Sequence, residues 1–96
     1  MGKSIVQQEK VCYITGSPFG LHKHHVFNGR GVREISEKYG LWVWLRADWH
    51  NAADYGVHFN KSLDTWLKQK VQQIAMEHYG WTVEEFIQKV GRNYLC

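Results

Sequence analysis

The chain is poor in proline and cysteine and has no long apolar run. One proline among 96 residues leaves no proline-rich linker to separate domains. Two cysteines, Cys12 and Cys96, form no Cys-x-x-Cys pair. That argues against a disulfide-framed scaffold; a lone Cys12–Cys96 bridge is compatible with the count, but no framework spacing suggests it. Nothing approaches the roughly 18 apolar residues of a membrane span, and "MGKSIVQQEK" lacks the apolar core of a signal peptide. The expected location is therefore cytoplasmic, with no membrane partner. Gly2 is present, but the sixth position holds Val6 instead of Ser or Thr, which argues against myristoylation. There is no internal repeat and no low-complexity tract.

What is present fits one globular domain, residues 1–96. A chain this short buries a modest core and often leans on a metal or a partner. Five Trp, five Tyr and four Phe supply large rings to fill that core. The net charge is +3, unevenly placed. Residues 1–46 carry seven Lys/Arg against three acids, whereas residues 47–96 carry five against six. A basic first half suits a polyanionic substrate, although +3 is also ordinary for a soluble protein.

Pattern and punctuation give an α+β order of elements. "KVCYIT" (10–15) reads as a short strand and "GSPFG" as a turn. "LHKHHVF" (21–27) then reads as the return strand of a hairpin. Strand alternation puts His22 and His24 on one face and His25 on the other. "NGRG" is a loop, and "VREISEKYG" a short helix ended by Gly40. "LWVWL" (41–45) is a second strand candidate. "ADWHNAADY" reads as a helical turn or two stopped at Gly56, with "GVHFNK" a connector. "SLDTWLKQKVQQIAMEHYG" is the clearest helix, with Leu63, Trp66, Leu67, Val71 and Ile74 as its apolar stripe. Thr82 and Glu85 open a last helix with a capping-box pattern, and Val83, Phe86, Ile87 and Val90 form its stripe. The two C-terminal helices (61–96) read as packing elements.

Three of six histidines fall within residues 22–25; His50 and His58 follow, in "DWHN" and "GVHFN". Imidazole is a ready ligand for borderline divalent metals. A hydrolytic metal needs two or three protein ligands and open positions for water and substrate. A separate neutral histidine is suited to take the proton from that water near pH 7. Adjacent strand residues can divide this labour. His24 would turn to the metal and His25 to the water. The bland alternative for any one histidine is a surface or satisfied core residue. His78, near a helix end, is read that way, and His22 is either beside the site or plain surface.

"LHKHHVF", "SEKYGLWVWL" and "WHNAADYGVHFN", in this order and spacing, resemble the HNH endonucleases of the His-Me finger (ββα-metal) superfamily, small phage- and prophage-encoded members above all. The likeness covers residues 10–60, and the ending "GRNYL" is similar too. The resemblance implies a ββα-metal core at 10–60 holding one divalent ion (Mg, Mn, Ni or Zn), followed by the C-terminal helices. It implies His24 and His50 as metal ligands and His25 as general base. The third ligand is His58, matching the "GVH" of the phage members, with Asp54, one helical turn after His50, as the alternative. Arg30, Arg33 and Lys23 would grip phosphate. The implied function is metal-dependent hydrolysis of DNA phosphodiester bonds. Many members also hold a structural zinc. Here Thr15, Arg46 and Trp49 stand at three of the four ligand places beside Cys12, so no structural zinc is expected. Trp49, with Trp42 and Trp44, is expected to fill that space. The Asn that orients the base is replaced by Tyr39-Gly40, leaving Asn28 or a backbone carbonyl to substitute. Two other readings use the same residues: a weakened or inactive HNH-fold module that binds nucleic acid or a host or phage protein, and a metal-storage or regulatory histidine protein.

Overall fold

Two antiparallel strands meet across a helix and not across a tight turn. The computed structural model describes residues 3–95; the readings made for Gly2 and Cys96 lie outside them. The order is β1 (Leu21–His25), α1 (Val32–Tyr39), β2 (Trp42–Arg46), one π-helical turn (Asp48–Ala52), α2 (Lys61–Tyr79) and α3 (Val83–Val90). β1 pairs with β2 in a register that sets His24 opposite Val43 and His22 opposite Leu45. Lys23 and His25 lie opposite Trp44 and Trp42. One sheet face therefore carries His22, His24, Val43 and Leu45. The other carries Lys23, His25 and the two tryptophans.

The expected hairpin partner, 10–15, is not a strand. Its backbone is used otherwise: Cys12 N–H donates to Ser17 O (2.8 Å), Gly16 N–H to Cys12 O (2.8 Å), and Tyr13 N–H to Trp44 O (2.8 Å). The segment is a knuckle lying against the outer edge of β2. Side chains complete that edge. Gln7 Oε1 accepts from Trp44 N–H (2.7 Å), and Ser4 Oγ donates to Trp42 O (2.6 Å). Ile5 N–H donates to Gly40 O (2.9 Å), fastening the N-terminal segment to the end of α1. Gly40 has φ +72°, and a Cβ there would clash with the Lys3 carbonyl oxygen. Glycine is required on both counts.

The core gathers Cys12, Val26, Phe27, Leu41, Val43 and Leu45 against Leu67, Val71 and Ala75 of α2 and Phe86 and Val90 of α3. Ser36 ties α1 to the chain after β1: its hydroxyl donates to Phe27 O and accepts from Phe27 N–H. Thr82 and Glu85 form the expected capping box at α3. In α2, Leu67 and Val71 are buried as expected, but Trp66 is 46% exposed and the inner face includes Gln72. Gln72 Nε2–H donates to Asn93 Oδ1 (2.8 Å), and its Oε1 accepts from Tyr94 N–H (2.8 Å), holding the C-terminal stretch to α2. In α3, Ile87 is 38% exposed. No helix among the described residues is long and apolar enough to cross a membrane.

The turn expected to run to Gly56 ends earlier. After Ala52 the chain becomes extended at Ala53 (φ −138°, ψ 158°) and folds back on itself. Val57 N–H donates to Trp49 O (2.8 Å), and His58 N–H to His50 O (3.2 Å).

Candidate metal centre

Three separated segments bring histidines together. β1 supplies His24 on the core face of the sheet, the π turn supplies His50, and the fold-back supplies His58. One ring nitrogen from each lies within 4.8 Å of the others. Asp54, the alternative ligand, is exposed and outside this group. π turns recur at functional sites because the wider turn redirects a side chain. This one is held from beneath by Asp48, whose carboxylate accepts from Arg46 Nε (2.7 Å), Arg46 Nη2 (2.8 Å) and Tyr55 OH (2.6 Å). Those bonds, Arg46 first, hold the Asp48 pKa well below the usual carboxylate range. Gly56 closes the fold-back. A Cβ there would lie 2.7 Å from Asp48 O and 3.0 Å from His50 O.

The trio fits a divalent metal on two observations. His24 is 2% exposed, and its Nε2 is buried with no hydrogen-bond partner. Buried polar atoms in folded proteins are nearly always met by something. Second, His50 Nε2 and His58 Nε2 are 2.9 Å apart. Two nitrogens each about 2.05 Å from a tetrahedral metal are about 3.3 Å apart, so this pair, now in hydrogen-bond contact, needs only a small opening to share an ion. Burial, then the neighbouring His50 and His58, hold the His24 pKa down to about 3. Burial, then His58 and His22, hold His50 to about 4. Both rings are therefore neutral at pH 7, the form that binds metal. His22 Nδ1 lies 3.1 Å from His50 Nδ1, so it touches the trio from outside.

His25, on the opposite face of β1, meets Glu37 of α1: Nε2 is 2.8 Å from Oε1. An ionised carboxylate only accepts, so Nε2 carries the proton and Nδ1 is left as the basic nitrogen. Lys23 Nζ donates to both Glu37 oxygens at 3.3 Å. The His25 bond first, with the Lys23 bond and charge added, lowers the Glu37 pKa. Glu37, and not Asn28, meets the His25 ring; Asn28 Nδ2 instead donates to the His25 backbone O at 3.3 Å. Glu37 escaped the sequence reading because a glutamate on a short amphipathic helix looks like surface.

A cleft of about 460 Å³ joins these groups: His24, His25, His50 and His58 line it together with Lys23 and Arg33. Arg30, the other phosphate candidate, is exposed and outside the lining. His78 is exposed at the end of α2, with its ring edge-on to Tyr79.

Cys12 is buried in the core. Burial raises the Cys12 thiol pKa, but hydrogen bonds from Thr15 and from backbone groups of Arg46, Thr15 and Ile14 outweigh it, and the net shift is downward. Trp49 packs on the core and edge-on to Tyr55 (4.7 Å). Trp42 and Trp44 do not join it; they sit with Lys23 and His25 on the far sheet face. No protein-family model matches the chain, and neither a curated protein nor a solved structure does.

Proposed function

We propose that the protein is a metal-dependent endonuclease of the HNH type that hydrolyses DNA phosphodiester bonds. One observation carries the reading: a metal-capable histidine trio and a carboxylate-braced histidine share a single cleft with Arg33 and Lys23. His24, His50 and His58 would hold one divalent ion. Bound there, it supplies positive charge for the scissile phosphate and the leaving oxygen.

The chain's own residues do the rest. His25 Nδ1 takes the proton from the attacking water, and Glu37 fixes the ring and stabilises the imidazolium formed. Arg33 and Lys23 grip phosphate oxygens and set register along the strand. His22 Nδ1 accepts from His50 Nδ1–H, which leaves His50 Nε2 as the ligating nitrogen. In this reading the ββα-metal plan persists with a π turn and fold-back in place of a full metal-bearing helix.

The test is nicking of supercoiled plasmid in Mg²⁺, Mn²⁺, Ni²⁺ or Zn²⁺. Nicking is expected to stop with EDTA and in His25→Ala, while His25→Ala still binds the metal. A His25→Ala variant that cuts as fast as the parent overturns the assignment.

A further inference from the structure

We propose that a second cleft, between the N-terminal segment and the tryptophan face of the sheet, binds an unpaired DNA strand and that Trp44 stacks a nucleobase there; this rests on the nuclease reading of the neighbouring cleft. The second cleft is the larger, about 840 Å³, and Trp42 and Trp44 line it with Lys3, Lys10 and Lys23 against the single acid Glu9. The indoles stand edge to face, with centroids 5.4 Å apart. Lys10 Nζ lies 4.7 Å from the Trp44 ring centroid and Lys23 Nζ 4.1 Å from that of Trp42. Trp42 Nε1–H is buried without an acceptor.

Rings paired with ammonium groups match the alternation of base and phosphate along a single strand. The bases of a duplex already stack on one another and offer only their edges. A stacking ring therefore selects an unpaired base. Lys23 is paired to Glu37, and Lys3 and Lys10 still outnumber Glu9 along the lining, a positive balance that favours a polyanion over an apolar peptide. Lys23 also lines the metal-centre cleft, so a strand leaving Arg33 and Lys23 passes directly onto Trp44. The preferred substrate is DNA that is single-stranded, frayed or branched beside the cut.

Anisotropy of a fluorescein-labelled oligonucleotide, single-stranded and as duplex, tests this in EDTA, where no cleavage runs. The parent is expected to bind the single strand more tightly. Trp44→Ala is expected to weaken that binding roughly 5- to 100-fold and to leave duplex binding unchanged. Lys10→Glu, at an exposed position, is expected to weaken single-strand binding as well. Equal affinity of the parent for both forms overturns the proposal, as does single-strand affinity indifferent to Trp44→Ala. The nuclease reading fails separately. Protein that never nicks plasmid but binds single strands through Trp44 keeps this cleft and loses the enzyme. Protein that nicks, with Trp44 irrelevant to binding, loses this cleft alone.

Discussion

His24 sits where an aliphatic side chain would pack, on the strand face that carries Val43 and Leu45. Leaving its Nε2 unmet costs about 1–3 kcal/mol, a cost that a ligand removes. His24→Leu is therefore expected to keep or raise the melting temperature in EDTA and to abolish the rise that Ni²⁺ or Zn²⁺ gives the parent. A variant that still responds to metal would remove His24 from the ligand set. The same residue fixes a pH dependence. Its folded pKa is about 3, below the roughly 6.5 of an unfolded histidine. Between those values the unfolded chain binds the proton and the folded chain does not. Stability is full above pH 6.5 and falls with pH by about 1.4 kcal/mol per unit for this group. Denaturant melts of the metal-free protein from pH 7.5 to 4.5 are expected to show that loss, with a shallower slope in His24→Leu. His22→Ala should lower metal affinity about 10- to 100-fold, measured by Ni²⁺ titration; unchanged affinity would reduce His22 to surface. At this scale the doublet and His50 were readable in sequence, because rare residues crowd together. Glu37 was not, because what distinguishes it is a partner twelve positions back on another element.

Helices were legible because their ends are written locally: Gly40 and Gly80 in left-handed conformations, and Thr82 with Glu85. The sheet was half legible. "LHKHHVF" and "LWVWL" are strands within a residue or two, yet they pair with each other and not through a hairpin with 10–15. "GSPFG" signals a turn, and the residues before it are β-branched enough to look like a strand. Local pattern names strands but not their partners. The π turn was equally hidden, since a run of Ala and Asp fits an ordinary helical turn. Its consequence falls on Gly56, which presses against the carbonyls of Asp48 and His50. Gly56→Ala must push the fold-back away. Overpacking of this kind costs about 1–3 kcal/mol, and each kcal/mol is about 4–8 °C in a domain of this size. The variant is expected to melt lower and also to bind metal more weakly, because His58 moves with the loop. A melt that drops while Ni²⁺ affinity holds would separate Gly56 from the site.

Across the whole molecule the candidate site is assembled from β1, α1, the π turn and the fold-back, spanning Lys23 to His58. A reading by motif could name most of its members but not the cleft that unites them. That cleft depends on the strands pairing across α1. The radius of gyration, 12.8 Å, is close to the roughly 12.5 Å of a packed chain this long. A single contiguous core runs from Cys12 to Val90, so the site and the packing helices share one support.

The outer edge of β2 is finished by Ser4, Gln7 and the Tyr13 backbone N–H, and among the described residues no third strand pairs there. Side chains thus hide a ribbon, "WVWL", whose open backbone would otherwise template pairing between molecules. If that cover matters, loosening it should promote self-association. Gln7→Ala leaves Trp44 N–H without its acceptor and should make light scattering rise with concentration on mild heating, before the core melts. Scattering that begins only with global unfolding would show that the edge needs no guard. If it begins earlier, the time the protein stays in solution is set by one glutamine beside Trp44.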